Sequence, residues 1–384
     1  MKNSLFLLFF SLFLYGEERP LYEGHFKTES TSVYLPLTIE GKTCSFLFDT
    51  GASFVVLDKG FEHLLGEPLS VEQAQARTGL VFATKEVITP NGTIALELYK
   101  ALPLKLGKLQ IANKYPYVTA DLKSVWPFSG EKFCGILGSS FLHQFRWELD
   151  FKKGEIKAYI GVEPYSGTYT TRSRLNFSRA KIPQVLIDLH GKEVIFDLDT
   201  GDNGSGRVQK EELKFLQVKK EVNKISKNEV VTISALTRGR EFRVKNFDFE
   251  GINYTNMVMQ LSDQNAIGLA FLKRHKVVFD FPFKTLYLKA YDDFLLKEEV
   301  DKSGLGMVLK GEKLIVHSIK EMEGADLDGI AIGDEIISLD GKRVSLYTLR
   351  QAFFRQEGTV LNLQVRSKNK IFDARLVLGK SALD

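Results

Sequence analysis

Asp-Thr-Gly occurs twice in this chain, at Asp49-Thr50-Gly51 and at Asp199-Thr200-Gly201, and the residues leading into the two copies align without a gap. Ile39-Glu-Gly-Lys-Thr-Cys-Ser-Phe-Leu-Phe-Asp49 lies against Leu189-His-Gly-Lys-Glu-Val-Ile-Phe-Asp-Leu-Asp199 at a constant offset of 150. In each copy an apolar run meets Gly-Lys, and a second β-rich run then enters the motif. That order predicts a hairpin whose return strand ends on the Asp. The copies also close alike, with Ile136-Leu137-Gly138 resembling Ala266-Ile267-Gly268. Between these landmarks strand-like runs alternate with turn signals such as Pro90-Asn91-Gly92 and Arg238-Gly239, and long amphipathic helices are scarce. Each copy is therefore expected to be a mainly β lobe, and the fold class all-β.

Near Asp292 the pattern changes. A charged stretch through Lys297, Glu298, Glu299, Asp301 and Lys302 reads as a linker. Beyond it come Gly304-Leu305-Gly306-Met307, a strand-like run at Leu314–Ile319, a helical stretch around Thr348–Arg355 and a last pair of strands, enough for a small third domain. A length of 384 residues accommodates such a chain of domains, each with its own core. The 44% apolar and 26% charged residues argue against both disorder and a membrane bundle, and a net charge of +4 with no basic block argues against nucleic acid as a partner.

At the N-terminus Lys2, the apolar run Leu5–Leu14 and Gly16 read as a signal peptide over residues 1–16. As a helix that run rises only about 15 Å, half a bilayer core, so export to the periplasm or the medium is expected, without stable membrane insertion. Two cysteines remain, Cys44 and Cys134. Two buried thiols are expected, with one disulfide as the alternative in an oxidising compartment.

Two carboxylates brought within hydrogen-bonding distance cannot both ionise comfortably, so they share a proton and supply an acid and a base together. The ionised member can take a proton from an attacking water while the protonated member donates to the developing oxyanion, with no metal, cofactor or covalent intermediate. Thr50 and Thr200 suit hydroxyl bonds that lock two turns together, and Gly51 and Gly201 let backbone approach the carboxylates. The plain alternative is a pair of ordinary Asp-Gly turns. Other chemistries lack support: the histidines show no metal-ligand spacing and no Gly-x-Ser-x-Gly elbow exists. Gly41-Lys42-Thr43 is no phosphate loop, because Pro36 stands where its first glycine must be.

Phe48-Asp49-Thr50-Gly51-Ala52-Ser53, Leu198-Asp199-Thr200-Gly201 and the closing segments resemble the aspartic peptidase superfamily, in particular bacterial retropepsin-like proteins with two fused lobes, from about residue 30 to 292. The resemblance implies lobes at 22–165 and 175–292, catalytic Asp49 and Asp199, and support of the dyad by Thr50, Gly51, Ala52, Thr200 and Gly201. It also implies a cleft for polypeptide substrates under a flap, for which Val81 to Leu98 is the candidate. One chain supplies both halves, so a monomer is expected. Residues 300–384 resemble a PDZ domain, a small α+β fold. That implies a carboxylate loop at Gly304, Leu305, Gly306 and Met307 that docks protein C-termini beside a strand.

One departure stands out. Asp202-Asn203-Gly204-Ser205-Gly206 follows the second motif, where the first has Ala52-Ser53-Phe54-Val55. An Asp202 facing the dyad raises its pKa values, whereas one turned outward merely caps a Gly-rich loop. Two rival readings follow: a catalytically impaired envelope protein that keeps the cleft to bind peptides, and lobes that each pair with another chain.

Overall fold

Alternating apolar residues let Tyr34–Ile39 and Lys42–Phe48 pair as an antiparallel hairpin with Ile39 opposite Lys42. Glu40 and Gly41 between them both have positive φ (44° and 77°), the two-residue turn whose twist matches that of the strands. The second motif is approached in the same way. His190 (φ 55°) and Gly191 (φ 90°) turn Pro183–Asp188 into Glu193–Asp199, and Leu189 and Lys192 exchange both backbone hydrogen bonds at 2.8 and 3.2 Å. The computed structural model describes residues 19–78, 86–89, 92–95, 97–161, 163–231, 236–381 and 383. The expected signal peptide 1–16 lies outside them, as do Pro90 and Asn91 at the expected flap tip; Glu86–Thr89 and Gly92–Ala95 pair as an antiparallel hairpin.

The return strands become interior strands. Lys42–Phe48 runs parallel to Gly135–Leu137, which pairs on its other side, antiparallel, with Val55–Asp58, itself parallel to Tyr117–Ala120. Glu193–Asp199 runs parallel to Ala266–Gly268, which pairs antiparallel with Gly206–Val208, itself parallel to Ile252–Leu261. Each set lies in its own eight-stranded sheet. A Cβ on Gly138 would collide with the carbonyl oxygens of Phe54 and Ala52, and one on Gly268 with those of Gly204 and Asp202. These closing glycines are therefore required by close backbone approach, since both have ordinary extended φ.

A six-stranded sheet joins the halves, because Arg146–Asp150 pairs antiparallel with His275–Asp280. One hydrophobic core runs from Val33 to Leu288. Phe48 sits edge-on to Trp147 at 5.2 Å and tilts against Phe279 at 6.3 Å, and all three are fully buried. Each such side chain contributes about 1.5–3 kcal/mol by leaving water, so the strands that end on the motifs are firmly anchored. The protein is mainly β, as its strand-like runs predict.

The expectation of two buried thiols is overturned: Cys44 and Cys134 form a disulfide across a Cα–Cα distance of 6.1 Å. The cause is the parallel pairing. Cys134 precedes Gly135–Leu137 and donates its N–H to Ser45 O at 2.8 Å, which sets it beside Cys44 on the neighbouring strand.

Residues from Leu305 onward build a third six-stranded unit with the helix Leu346–Phe353, capped by Ser345, around a separate core. It touches both halves. Tyr347 Oη donates to Ser129 O at 3.1 Å and Phe128 stacks edge-on against His317 at 5.6 Å, while Lys320 donates to Ser226 Oγ at 2.7 Å. The preceding charged stretch is anchored as well, for Glu298 accepts from Ser205 Oγ (2.6 Å), Val258 N (3.1 Å) and Arg274 (3.2 Å). Among the described residues no helix is long and apolar enough to cross a membrane.

Candidate active site

The two Asp-Thr-Gly turns meet face to face. Thr50 Oγ1 donates to Leu198 O at 2.6 Å and accepts from Thr200 N at 3.1 Å, and Thr200 Oγ1 donates to Phe48 O at 2.8 Å and accepts from Thr50 N at 3.0 Å. Both threonines are fully buried. Four backbone groups that the turns would otherwise leave unpaired are thus satisfied from the opposite half.

This crossing brings the carboxylates together. Asp49 Oδ1 accepts from Gly51 N at 2.8 Å and Ala52 N at 3.1 Å, and Asp199 Oδ1 accepts from Gly201 N at 3.0 Å and Asp202 N at 3.1 Å. A Cβ on Gly51 would strike the Asp199 carboxylate, and one on Gly201 that of Asp49. Glycine is therefore obligatory at both positions by contact across the dyad. Burial, the charge of Asp199 and a side-chain bond with it push the Asp49 carboxyl well above the usual carboxylate range, against the pull of the two N–H groups. A buried pair holding one proton is suited to general acid and base work at one bond.

Asp202 caps the Gly-rich loop, as one of the two expected arrangements has it, but turned inward against Arg207 rather than outward. Its Oδ1 caps Gly204 N at 2.9 Å, while its Oδ2 lies 3.0 Å from Arg207 Nε. Arg207 in turn donates from Nη2 to Asp199 Oδ2. The Arg207 Nε–H does not aim at Asp202, so that contact is coulombic rather than a hydrogen bond. Burial raises the Asp202 carboxyl, Arg207 lowers it and Asp199 raises it again. Burial also opposes the charge on Arg207, yet Asp202, Asp199 and Asp49 outweigh it and hold the guanidinium ionised.

Arg207 is the residue that the sequence reading misses. The signal is there: continued past the motif, the offset of 150 sets Ala52 against Asp202 and Leu57 against Arg207, an acid and a base entering the same copy. The observed registers shift this match by one residue: Arg207 lies opposite Ala266 as Val56 lies opposite Ile136, so its place in the first copy is that of Val56.

Gly304 to Met307 lie apart, in the C-terminal unit. Gly304 has φ 71° and Leu305–Lys310 is the end strand of its sheet. Ahead of it, Asp301 Oδ1 accepts from Ser303 N and Ser303 Oγ, both at 2.7 Å, and from Gly304 N at 3.3 Å. These donors already hold one carboxylate of the chain itself.

No curated protein matches this sequence. Residues 35–141, which run from the first hairpin through Asp49-Thr50-Gly51 to the closing segment, match the family model described as aspartyl protease.

Proposed function

We propose that the chain is an aspartic endopeptidase whose two lobes, at 22–165 and 175–292, are related by a pseudo-twofold axis and each supply one carboxylate. The observation that carries this reading is the reciprocal Thr50/Thr200 exchange, which fixes Asp49 and Asp199 against each other. The aspartyl protease match over the first half supports it. In the reaction a water oxygen attacks the peptide carbonyl carbon, its proton passes to Asp199, and Asp49 gives its proton to the carbonyl oxygen. The resulting diol collapses as one hydroxyl returns its proton to Asp49. The C–N bond breaks, and the leaving nitrogen takes the proton held by Asp199.

The reading extends to the rest of the chain. The leader expected at residues 1–16 supports export, a chain that supplies both halves supports a monomer, and residues 300–384 act as a PDZ-like module for chain ends of polypeptides. The free edge of Leu305–Lys310 beside the Leu346–Phe353 helix supports strand addition there. The helix Trp126–Ser129 of the first half lies against that strand, so an incoming chain end has to share or displace this contact. Incubation of the purified mature protein with a peptide library across pH, read by mass spectrometry, tests the proposal. Cleavage products that require Asp49 are expected. Retention of peptides without cleavage at any pH would favour the non-catalytic alternative.

A further inference from the structure

Arg207 and Asp202 replace, as a pair, the apolar Val56 and Ala52 of the first copy. Val56 is buried at 6% exposure, and Arg207, at 7%, comes from the matching strand position. A charged residue in such a place has no route to solvent, so it is a fixed part of the lobe rather than a plug that could withdraw. It needs partners, and it has two: Asp199 through Nη2 and Asp202 facing Nε. The replacement is neutral in sum, one base and one acid, so it leaves the net charge around the dyad unchanged and redistributes it.

Resting on the peptidase reading, we infer that Arg207, backed by Asp202, is a positioning residue that confines the proton of the dyad to Asp49 and so fixes Asp49 as the acid and Asp199 as the base. The argument is one of satisfied donors. Asp199 Oδ1 receives two backbone N–H groups and Asp199 Oδ2 receives the Arg207 guanidinium, which has donors only. A proton on Asp199 would remove the negative charge that the buried guanidinium faces and weaken Oδ2 as its acceptor. Asp49 Oδ1 likewise receives two N–H groups, but among the described residues no backbone N–H or cation reaches its Oδ2. That oxygen is the place for the proton. The other ionisable group nearby does not reverse the bias: Asp197, two residues upstream on the same strand, is bonded to Gln184 at 2.7 Å and sees both Asp199 and Arg207. Near-identical turns thus give an asymmetric dyad because one copy carries a charge pair that the other lacks.

The test is the double variant Asp202→Ala/Arg207→Val, which installs the first copy's own pair and leaves no unpartnered buried charge. Arg207→Val alone strands two carboxylates and is expected to fold poorly, so the double variant is the one to be read. The acid limb of kcat/KM is expected to move toward neutral by about one to two pH units, the equivalent of one charge-assisted hydrogen bond, and Arg207→Lys to recover part of that shift. A merely structural role would lower activity at all pH values without moving the limb. An independent readout is the carboxyl carbon spectrum of the protein labelled at Asp. The wild type should show one protonated dyad carboxyl, removed by Asp49→Asn, and the double variant a proton shared by both. An unmoved limb, or a proton already shared in the wild type, overturns the inference. A wild type that cleaves nothing refutes the peptidase reading instead, while the spectrum still reports where the proton lies.

Discussion

Replacing Thr50 with alanine removes one arm of the exchange that closes the two halves on each other. The Thr50 hydroxyl donates to Leu198 O and serves as acceptor for Thr200 N, and its surroundings are fully buried. Water cannot take its place without opening the core. Each stranded backbone group costs about 1–3 kcal/mol, so Thr50→Ala should destabilise the protein by roughly 2–6 kcal/mol, while Thr50→Ser, which keeps both bonds and loses a methyl, should cost about 1 kcal/mol. Because the two hydroxyls lie 3.4 Å apart and serve the same interface, Thr50→Ala/Thr200→Ala should cost clearly less than the sum of the single changes. Urea unfolding followed by tryptophan fluorescence, to which Trp147 in the shared core contributes, reads the wild type, Thr50→Ala, Thr50→Ser, Thr200→Ala and the double variant. The alanine variant should also lose about a hundredfold in kcat/KM, since misplacing a catalytic group by about 1 Å has that effect. An alanine variant within about 0.5 kcal/mol of the serine variant would refute the reasoning, because the crossed bonds would then contribute little.

Reduction of the Cys44–Cys134 disulfide, or its replacement by two alanines, should cost about 2–4 kcal/mol through the loop it closes, read as a lower Tm with than without reductant. His275 is fully buried against the Tyr254 hydroxyl at 2.8 Å, and burial pushes its imidazole down to about 4. The unfolded chain therefore binds the extra proton first: the stability that neutral His275 contributes is full above about pH 6.5 and is lost as pH falls toward 4, by about 3 kcal/mol, so the gap in stability between wild type and His275→Gln should narrow over that window. A chain ending at Val300 keeps the dyad, Arg207 and Glu298 and should cleave short peptides within a few-fold of the wild type. It should lose efficiency, mainly in KM, on long substrates with a free apolar C-terminus; equal loss on both classes would make the C-terminal unit a brace for the lobes rather than a docking module.

What the sequence makes legible is what local chemistry decides. Gly41 and Gly191 mark two-residue turns and the strands after them must end on Asp-Thr-Gly, both readable from a gapless repeat, and Gly138 matches Gly268 once the offset falls from 150 to 130. What it hides depends on pairings between distant strands. The alignment of Cys134 beside Cys44 and the joining of Arg146–Asp150 to His275–Asp280 have no local signature. Glu298 belongs to a charged run that reads as a linker, because its donors, Ser205 Oγ, Val258 N and Arg274, come from three separate elements. Arg207 lies between these cases. Its type breaks the hydrophobic pattern of a strand that is otherwise buried, and only comparison with Val56 in the first copy reveals that Asp202 is its counterpart rather than a stray acid.

The most direct test of the shared dyad is peptide hydrolysis by Asp49→Asn and Asp199→Asn, each checked to be folded by its unfolding curve and assayed from acid to neutral pH. Loss of turnover by at least a thousandfold in both variants is the predicted result, since either change removes half of a cooperating pair. An Asp199→Asn protein that retains near-normal turnover while Asp49→Asn has none would contradict it and point to a site assembled from the first halves of two chains.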